Sequence, residues 1–365
     1  MRISCLLLLM FHFFFVQAQP HEISPGDLKD FPADISIYSP LPPGCKLPVS
    51  SIHIIDSRAD TSKIGFIKKN LDSRGNKLYK KIVVEGGLAN GMETMLNRHY
   101  ASCFSNDSIK LLIVIKRFWA DPNPNRQAQR QGSINRESVF DMYLKLEFFL
   151  EKDKLFYPVK RADTLFQTGE DEFIPGCADR KMRECQIYGY AISKIVEGID
   201  FHYYARRLDK LKNKITKDAL DSFNRKYNEY PVVKASILNK GVYVTFDEFR
   251  NNRPSISNYR MEKHQKNNRS MVVLYSTDMT ESERIPKFWG YCDGARVYCG
   301  FIQHPLFRAG NTFEFFIDKT AYDPIYVPVP VPTAGLPFGF LDVSIDAMAE
   351  SLEPFQIDME TGKIF

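Results

Sequence analysis

Apolar and polar positions alternate most cleanly in "VFDMYLKLEFFLE", where Phe140, Met142, Leu144, Leu146, Phe148 and Leu150 recur at period two. Asp141, Lys145, Glu147 and Glu151 take the other parity. Successive side chains of a strand point to opposite faces, so the pattern predicts a long strand over 139–151 with one buried face. "EKDK" turns it back into "LFYPVKRAD", an antiparallel partner. Upstream, "SSIHIID" at 50–56 and "LYKKIVV" at 78–84 predict strands separated by the polar turn "DSRADTSKIGF". "IKLLIVIKRFW" at 109–119 is apolar on both parities in its middle, which predicts a central strand covered on both faces. Leu88, Met92, Met95 and His99 fall at helical spacing and predict a helix over 87–100. A longer stripe, Met182, Cys185, Tyr188, Ile192, Ile195, Ile199 and His202 or Tyr203, predicts one helix over 180–206, weakened but not broken by Gly189 and Gly198. A further helix over 216–228 stops before Pro231.

The texture changes from Lys240 onward, where elements shorten and turn residues multiply. "GVYVTFDEF", "SMVVLYS", "ARVYCGF", "NTFEFFID" and "PIYVPVPVP" read as strands, with short helical turns at "FDEFRNN" and "IDAMAES". The expected class is α+β. A mixed sheet with packed helices occupies 45–228, a mainly antiparallel β domain occupies 235–365, and the Pro-rich stretch 19–44 is an extended leader.

The first eighteen residues read as a secretory signal. Arg2 is the lone charge, 5–16 is apolar, and Val16-Gln17-Ala18 places small residues at a cleavage site. The apolar run is short of the ~20 residues a spanning helix needs. The expectation is an exported protein, periplasmic or extracellular, with no transmembrane segment after signal cleavage. An oxidising compartment permits disulfides among the remaining cysteines. Cys177 and Cys185, flanking a predicted helix start, are the candidate pair; the other reading is a loop thiol and a buried helix thiol. Cys292 and Cys299 fall out of register for a bond if Asp293-Gly294 is a two-residue turn. No cysteine or histidine cluster has metal-ligand spacing, so neither metal nor cofactor is expected.

Composition narrows the function classes. The chain of 365 residues is 44% hydrophobic and 25% charged, a globular balance, and its formal charge of +5 gives no support to nucleic-acid binding. No HExxH or GxSxG motif occurs. The one constellation with catalytic residue types is Asp56-Ser57-Arg58-Ala59-Asp60, two carboxylates and a guanidinium beyond a strand end; the other reading is a capped turn with a local Asp–Arg pair. Trp289, Tyr291 and Tyr298 in "WGYCDGARVYCGF" are candidate binding residues, an aromatic platform for a glycan or peptide; the other reading is a core. Counting outward from Asp293-Gly294 pairs Trp289 with Tyr298 and puts Trp289 and Tyr291 on one face. "EGGLANG" predicts a tight strand-to-helix turn, and "ARRLDKLKNKITK" is a dense basic stretch that is either solvated or turned toward anionic lipid or an acidic partner.

With "GVYVTFDEFRNNRPS", "WGYCDGARVY" and the closing "IDMETGKIF", the second half resembles uncharacterised exported proteins of Bacteroidetes-type bacteria. The segment 50–150, with its strand ending in Asp56-x-Arg58, Ile64-Gly65, a helix and two long strands, is similar to YajG-like envelope lipoproteins and transporter-auxiliary proteins, although no lipobox cysteine follows the signal. These resemblances imply the envelope and no particular activity. The expected function is a non-enzymatic binding or scaffolding component of the cell envelope, partnered by another envelope protein, a glycan or a peptide. The alternative is a secreted hydrolase with a carboxylate site at Asp56 and Asp60.

Overall fold

The computed structural model describes residues 24–33, 35–37, 41, 43–71, 77–105, 108–121, 138–169, 180–211, 213–266, 269–277, 283–300, 305–318 and 352–365. The signal stretch, "PIYVPVPVP" and "IDAMAES" lie outside these residues, as does Cys177; the side chain of Cys185 is likewise outside the description.

An eight-stranded mixed sheet organises the first half. Its strands are β1 (Asp30–Ala33), β2 (Ile52–Asp56), β3 (Gly65–Leu71), β4 (Lys77–Val84), β5 (Lys110–Asp121), β6 (Ser138–Lys152), β7 (Leu155–Gly169) and β8 (Ile215–Thr216). The path runs β1-β4-β3-β5-β6-β7-β8, with β2 also pairing β5. β1 comes from the leader and lies parallel to β4. β3 occupies part of the stretch expected to be a polar turn. β5 is the central strand that its two-sided apolar pattern predicts: Leu111 to Ile115 are all buried. α1 (Leu88–His99) and α2 (Arg180–Glu197) cover one face, and Leu88, Met92, Leu96, Tyr188 and Ile192 pack there against Ile113, Leu144, Leu146 and Phe148.

The helix expected over 180–206 breaks. α2 ends at Glu197 and α3 (Phe201–Ala205) begins afresh behind Asp200, whose carboxylate accepts from the Tyr203 amide at 2.9 Å. Gly198 supplies no side chain to hold the helix there, and an N-capping aspartate restarts it.

The polar parity of β6 is also buried, contrary to the one-faced reading. Lys145 is 1% exposed, and Asp141 and Glu147 are buried as well. The cover comes from residues far along the chain: α4 (Lys217–Tyr227) lies across this side, and the C-terminal segment 352–365 crosses it.

The second half contains α5 (Pro231–Lys234), α6 (Phe246–Arg250) and three small antiparallel sheets. These join β9 (Gly241–Tyr243), β13 (Gly290–Cys292) and β14 (Val297–Cys299); β10 (Tyr259–Lys266), β11 (Arg269–Ser276) and β12 (Glu283–Arg284); and β15 (Phe307–Ala309), β16 (Thr312–Asp318) and β17 (Leu352–Gln356). The architecture is α+β. The β13–β14 register differs from the two-residue count, since Tyr291 faces Tyr298 and Cys292 faces Val297. The connection is a four-residue loop in which the Asp293 carboxylate accepts from the amides of Ala295 and Arg296 at 2.8 and 2.7 Å. That side-chain turn displaces the register by two.

Candidate functional site

β5 changes neighbours along its length, and the change opens a fork in the sheet. Its first half runs parallel to β2, from Ile52↔Leu111 to Asp56↔Ile115. Its far end meets β3 at Gly65↔Ala120. A β-carbon at Gly65 would sit 2.1 Å from the Ala120 carbonyl oxygen, so only glycine permits this approach. Between the two contacts the loop 57–64 leaves this edge of β5 without a strand partner, while β6 pairs its other edge throughout. Arg58 fills the gap: its guanidinium donates to the carbonyls of Lys63 at 2.5 Å and Phe118 at 3.5 Å, and to the Asp56 carboxylate at 2.7–3.1 Å. Arg58 therefore does the work of a missing strand, with Asp56 balancing its charge.

Asp60 lies on the other side of this loop. Its carboxylate accepts from the Ser62 amide at 2.9 Å and from the buried Lys63 ammonium. Burial alone would raise its pKa, but the Lys63 charge and the Ser62 hydrogen bonds outweigh that and hold it below the ordinary value. Lys63 also pairs with Glu314 of β16, and Gln356 donates to both Asp60 and Glu314 at 3.2 and 3.1 Å. The tip of the β15–β16 hairpin packs on the loop as well: the Asn311 amide donates to the Ala59 carbonyl at 2.7 Å. The triple singled out in the sequence is thus both the plug of the fork and the joint where the second half meets the first.

A cleft of about 400 Å³ opens beside the plug, lined by Ser57, Arg58, Asp221, Asn224, Asn228 and Asn311 among others. It lies beyond the carboxyl end of β2, where the loop 57–64 leaves the sheet. Asn228 donates to the Ser57 carbonyl at 2.8 Å. The Asn224 amide is oriented by Lys116, whose ammonium donates to Oδ1 at 2.7 Å; its own Nδ2 is buried and has no partner among the described residues. The charges around the cleft pair off, Arg58 with Asp56 and Lys234 with Glu229 at 2.7 Å, which leaves Asp221 and Arg225 of opposite sign. The lining is close to neutral and rich in amides, which suits hydroxyl or amide groups better than a fixed charge.

Lys116 is itself buried, with its ammonium 4.8 Å from the Phe223 ring centre and 4.5 Å from that of Tyr227. Burial pushes its pKa down to about 8, partly countered by Glu147. Beyond it the C-terminal segment is held to the sheet. Glu360 pairs with Lys145 and Arg117 and accepts from the Tyr227 hydroxyl at 2.6 Å, and Asp358 takes Arg117 at 2.5 Å. The Phe365 ring lies 4.7 Å from Tyr143 and 6.2 Å from Trp119.

The aromatic candidates lie elsewhere and form no exposed platform. Trp289 is 2% exposed and stacks on Phe249 at 4.1 Å. Tyr291 is buried in a separate cluster with Phe288 and stacks on Tyr298 at 4.9 Å. Trp289 precedes β13, so strand alternation does not carry Trp289 and Tyr291 onto one face. The structure contains a disulfide that the sequence reading did not single out, Cys45–Cys103, with Cα atoms 5.2 Å apart. Cys292 and Cys299 are free and buried; burial raises both thiols, Cys299 to about 12. Among the described residues no group of three His, Cys, Asp or Glu is placed to hold a metal ion, and no helix is long and apolar enough to cross a membrane.

Asn224, Lys116, Lys145 and Glu360 were not identifiable as site residues from the sequence. Each carries an ordinary polar signature, and the only cue was the apolar parity around Lys116, which marks a lysine inside a buried strand.

No protein-family model matches the chain, and no curated protein matches it. A crystal structure of a Xanthomonas campestris protein of the family DUF330 aligns at 12% identity over 45% of this chain and 92% of that one, with a TM-score of 0.26. A likeness at that score carries no argument about function. Neither the Bacteroidetes-type nor the YajG-like resemblance gains support from these comparisons.

Proposed function

We propose that this protein is an exported envelope component that binds or scaffolds rather than catalyses, and that the cleft at the sheet fork receives a neutral polar ligand, a glycan or a peptide segment. The observation that carries the reading is the state of the two candidate carboxylates. General acid–base catalysis needs a carboxyl free to exchange its proton near the working pH. Asp56 is held by the Arg58 fork, and Asp60 is held ionised by Lys63 and Ser62. Both are committed to joining strands and halves, which weighs against the hydrolase alternative. The amide-rich lining favours a ligand that brings neutral hydrogen-bonding groups. The Cys45–Cys103 bridge is in keeping with an oxidising compartment.

Calorimetric titration of the full chain with neutral oligosaccharides and short uncharged peptides tests the reading. Asn311 is exposed at the cleft and its side chain makes no hydrogen bond, so Asn311→Trp should fill the cleft and abolish binding without lowering the melting temperature. An ester- or glycoside-hydrolysing activity that disappears in Asp60→Asn, with melting unchanged, would overturn it in favour of the hydrolase.

A further inference from the structure

One end of the main sheet gathers cations that have no anionic partners among the described residues. α3 runs into Arg206, Arg207 and Lys210, and the chain then presents Lys214 and Lys217 on either side of β8. β8 pairs with β7 through Leu155↔Thr216 and Phe156↔Ile215, which brings Lys154 of the β6–β7 turn beside Lys217. Lys110 begins the strand that lies against β6 at Glu151. All seven cations are exposed. None makes an ion pair among the described residues, whereas Arg58, Lys63, Arg117 and Lys145 are all paired with carboxylates. The exposed carboxylates at this end are Asp153, Asp200, Asp209 and Asp218, and Asp200 is engaged in capping α3. Among the described residues the exposed groups at this end therefore number three more cations than carboxylates; the whole chain has an excess of five.

These charges are spread over four separate elements, and none of them lines the fork cleft. A dispersed array suits an extended anionic surface better than a single bound anion. Tyr203, one turn before Arg207, is 43% exposed, with the Arg207 guanidinium 4.1 Å from its ring centre and donating to its hydroxyl. A tyrosine with an apolar ring and a polar tip beside clustered lysines and arginines is the side-chain chemistry found at lipid headgroup depth. We propose that this end of the sheet docks peripherally on a bilayer of anionic phospholipid, with Tyr203 at the headgroup level and the unpaired cations above it.

The test is co-sedimentation of the full chain with vesicles of phosphatidylcholine alone and of equal parts phosphatidylcholine and phosphatidylglycerol. Binding should require phosphatidylglycerol and weaken as salt rises. A basic residue near an anionic membrane contributes about a fivefold change in affinity. Lys210→Ala and Lys214→Ala together should thus weaken binding about twenty-fivefold. Neither side chain makes a hydrogen bond or ion pair among the described residues, so the thermal melt should not move. Tyr203→Ser should weaken binding while leaving its salt dependence in place. Equal binding to both vesicles, no binding to either, or an unchanged affinity in the double variant would overturn the proposal. So would tight binding to soluble heparin or polyphosphate without vesicle binding, since that identifies a free polyanion as the partner.

Discussion

Replacing Lys145 by aspartate separates two descriptions of β6. On the alternation alone Lys145 belongs to the solvent face, and Lys145→Asp should be nearly silent. In the structure the side chain is 1% exposed, its ammonium pairs with Glu360, and it lies 5.1 Å from the Tyr227 ring centre. Removing one partner of a fully buried ion pair costs about 3–5 kcal/mol, and Lys145→Asp reaches that range because it sets a second negative charge in the buried position. Aspartate adds repulsion from Glu360 and from Asp163, whose carboxylate is 3.9 Å from the Lys145 ammonium. Lys145→Met keeps the aliphatic stem. Glu360 then retains Tyr227 and Arg117 and remains 31% exposed, so the loss should fall to about 1.5–3 kcal/mol, the range for a hydrogen bond to a charged group. Urea unfolding followed by circular dichroism measures both. A double-mutant cycle with Glu360→Gln should return a coupling of about 0.5–3 kcal/mol. A Lys145→Asp variant within about 0.5 kcal/mol of the parent would place the residue on the surface and refute the docking of the C-terminal segment.

Three further outcomes are expected. Cys45→Ser should lower stability by about 4 kcal/mol on the chain-entropy account of a loop of this length, the cysteines being 58 positions apart in sequence, and non-reducing peptide mapping should find the Cys45–Cys103 link in the parent. Lys116 binds its proton more weakly folded, about 8, than unfolded, 10.5, so stability should rise as pH climbs between those values. Lys116→Met should remove that rise in urea melts taken across the window, and a parent whose stability falls there would contradict the burial of the ammonium. Trp119 and Trp289 are 5% and 2% exposed, so acrylamide should quench the folded protein weakly and the urea-unfolded chain strongly; strong quenching before unfolding would restore the exposed platform.

Local pattern was enough wherever one element's own periodicity decides its burial. The alternation of Phe140 to Leu150, the two-sided apolar run of β5 and the four- and three-residue steps of Leu88, Met92 and Met95 each state which faces must leave water, and β6, β5 and α1 form there. The chain also announced its own interruption at Gly198-Ile199-Asp200, where a capping aspartate follows a glycine, though a continuous apolar stripe runs through the break. Other features depend on partners distant in the chain. Lys145 and Glu147 read as a solvated face because nothing near them says that residues 217–227 and 352–365 will cover it. Asp56, Arg58 and Asp60 have the composition of a catalytic cluster, and only the fork between β2 and β3 turns them into a plug and a joint, with Glu314 and Gln356 arriving from the other half. The Asp293 turn shifts its hairpin by two because a side chain, not the backbone count, closes it. Periodicity records what each segment must bury; which surface covers it, and which charge neutralises which, is settled by contacts between segments that share no sequence neighbourhood.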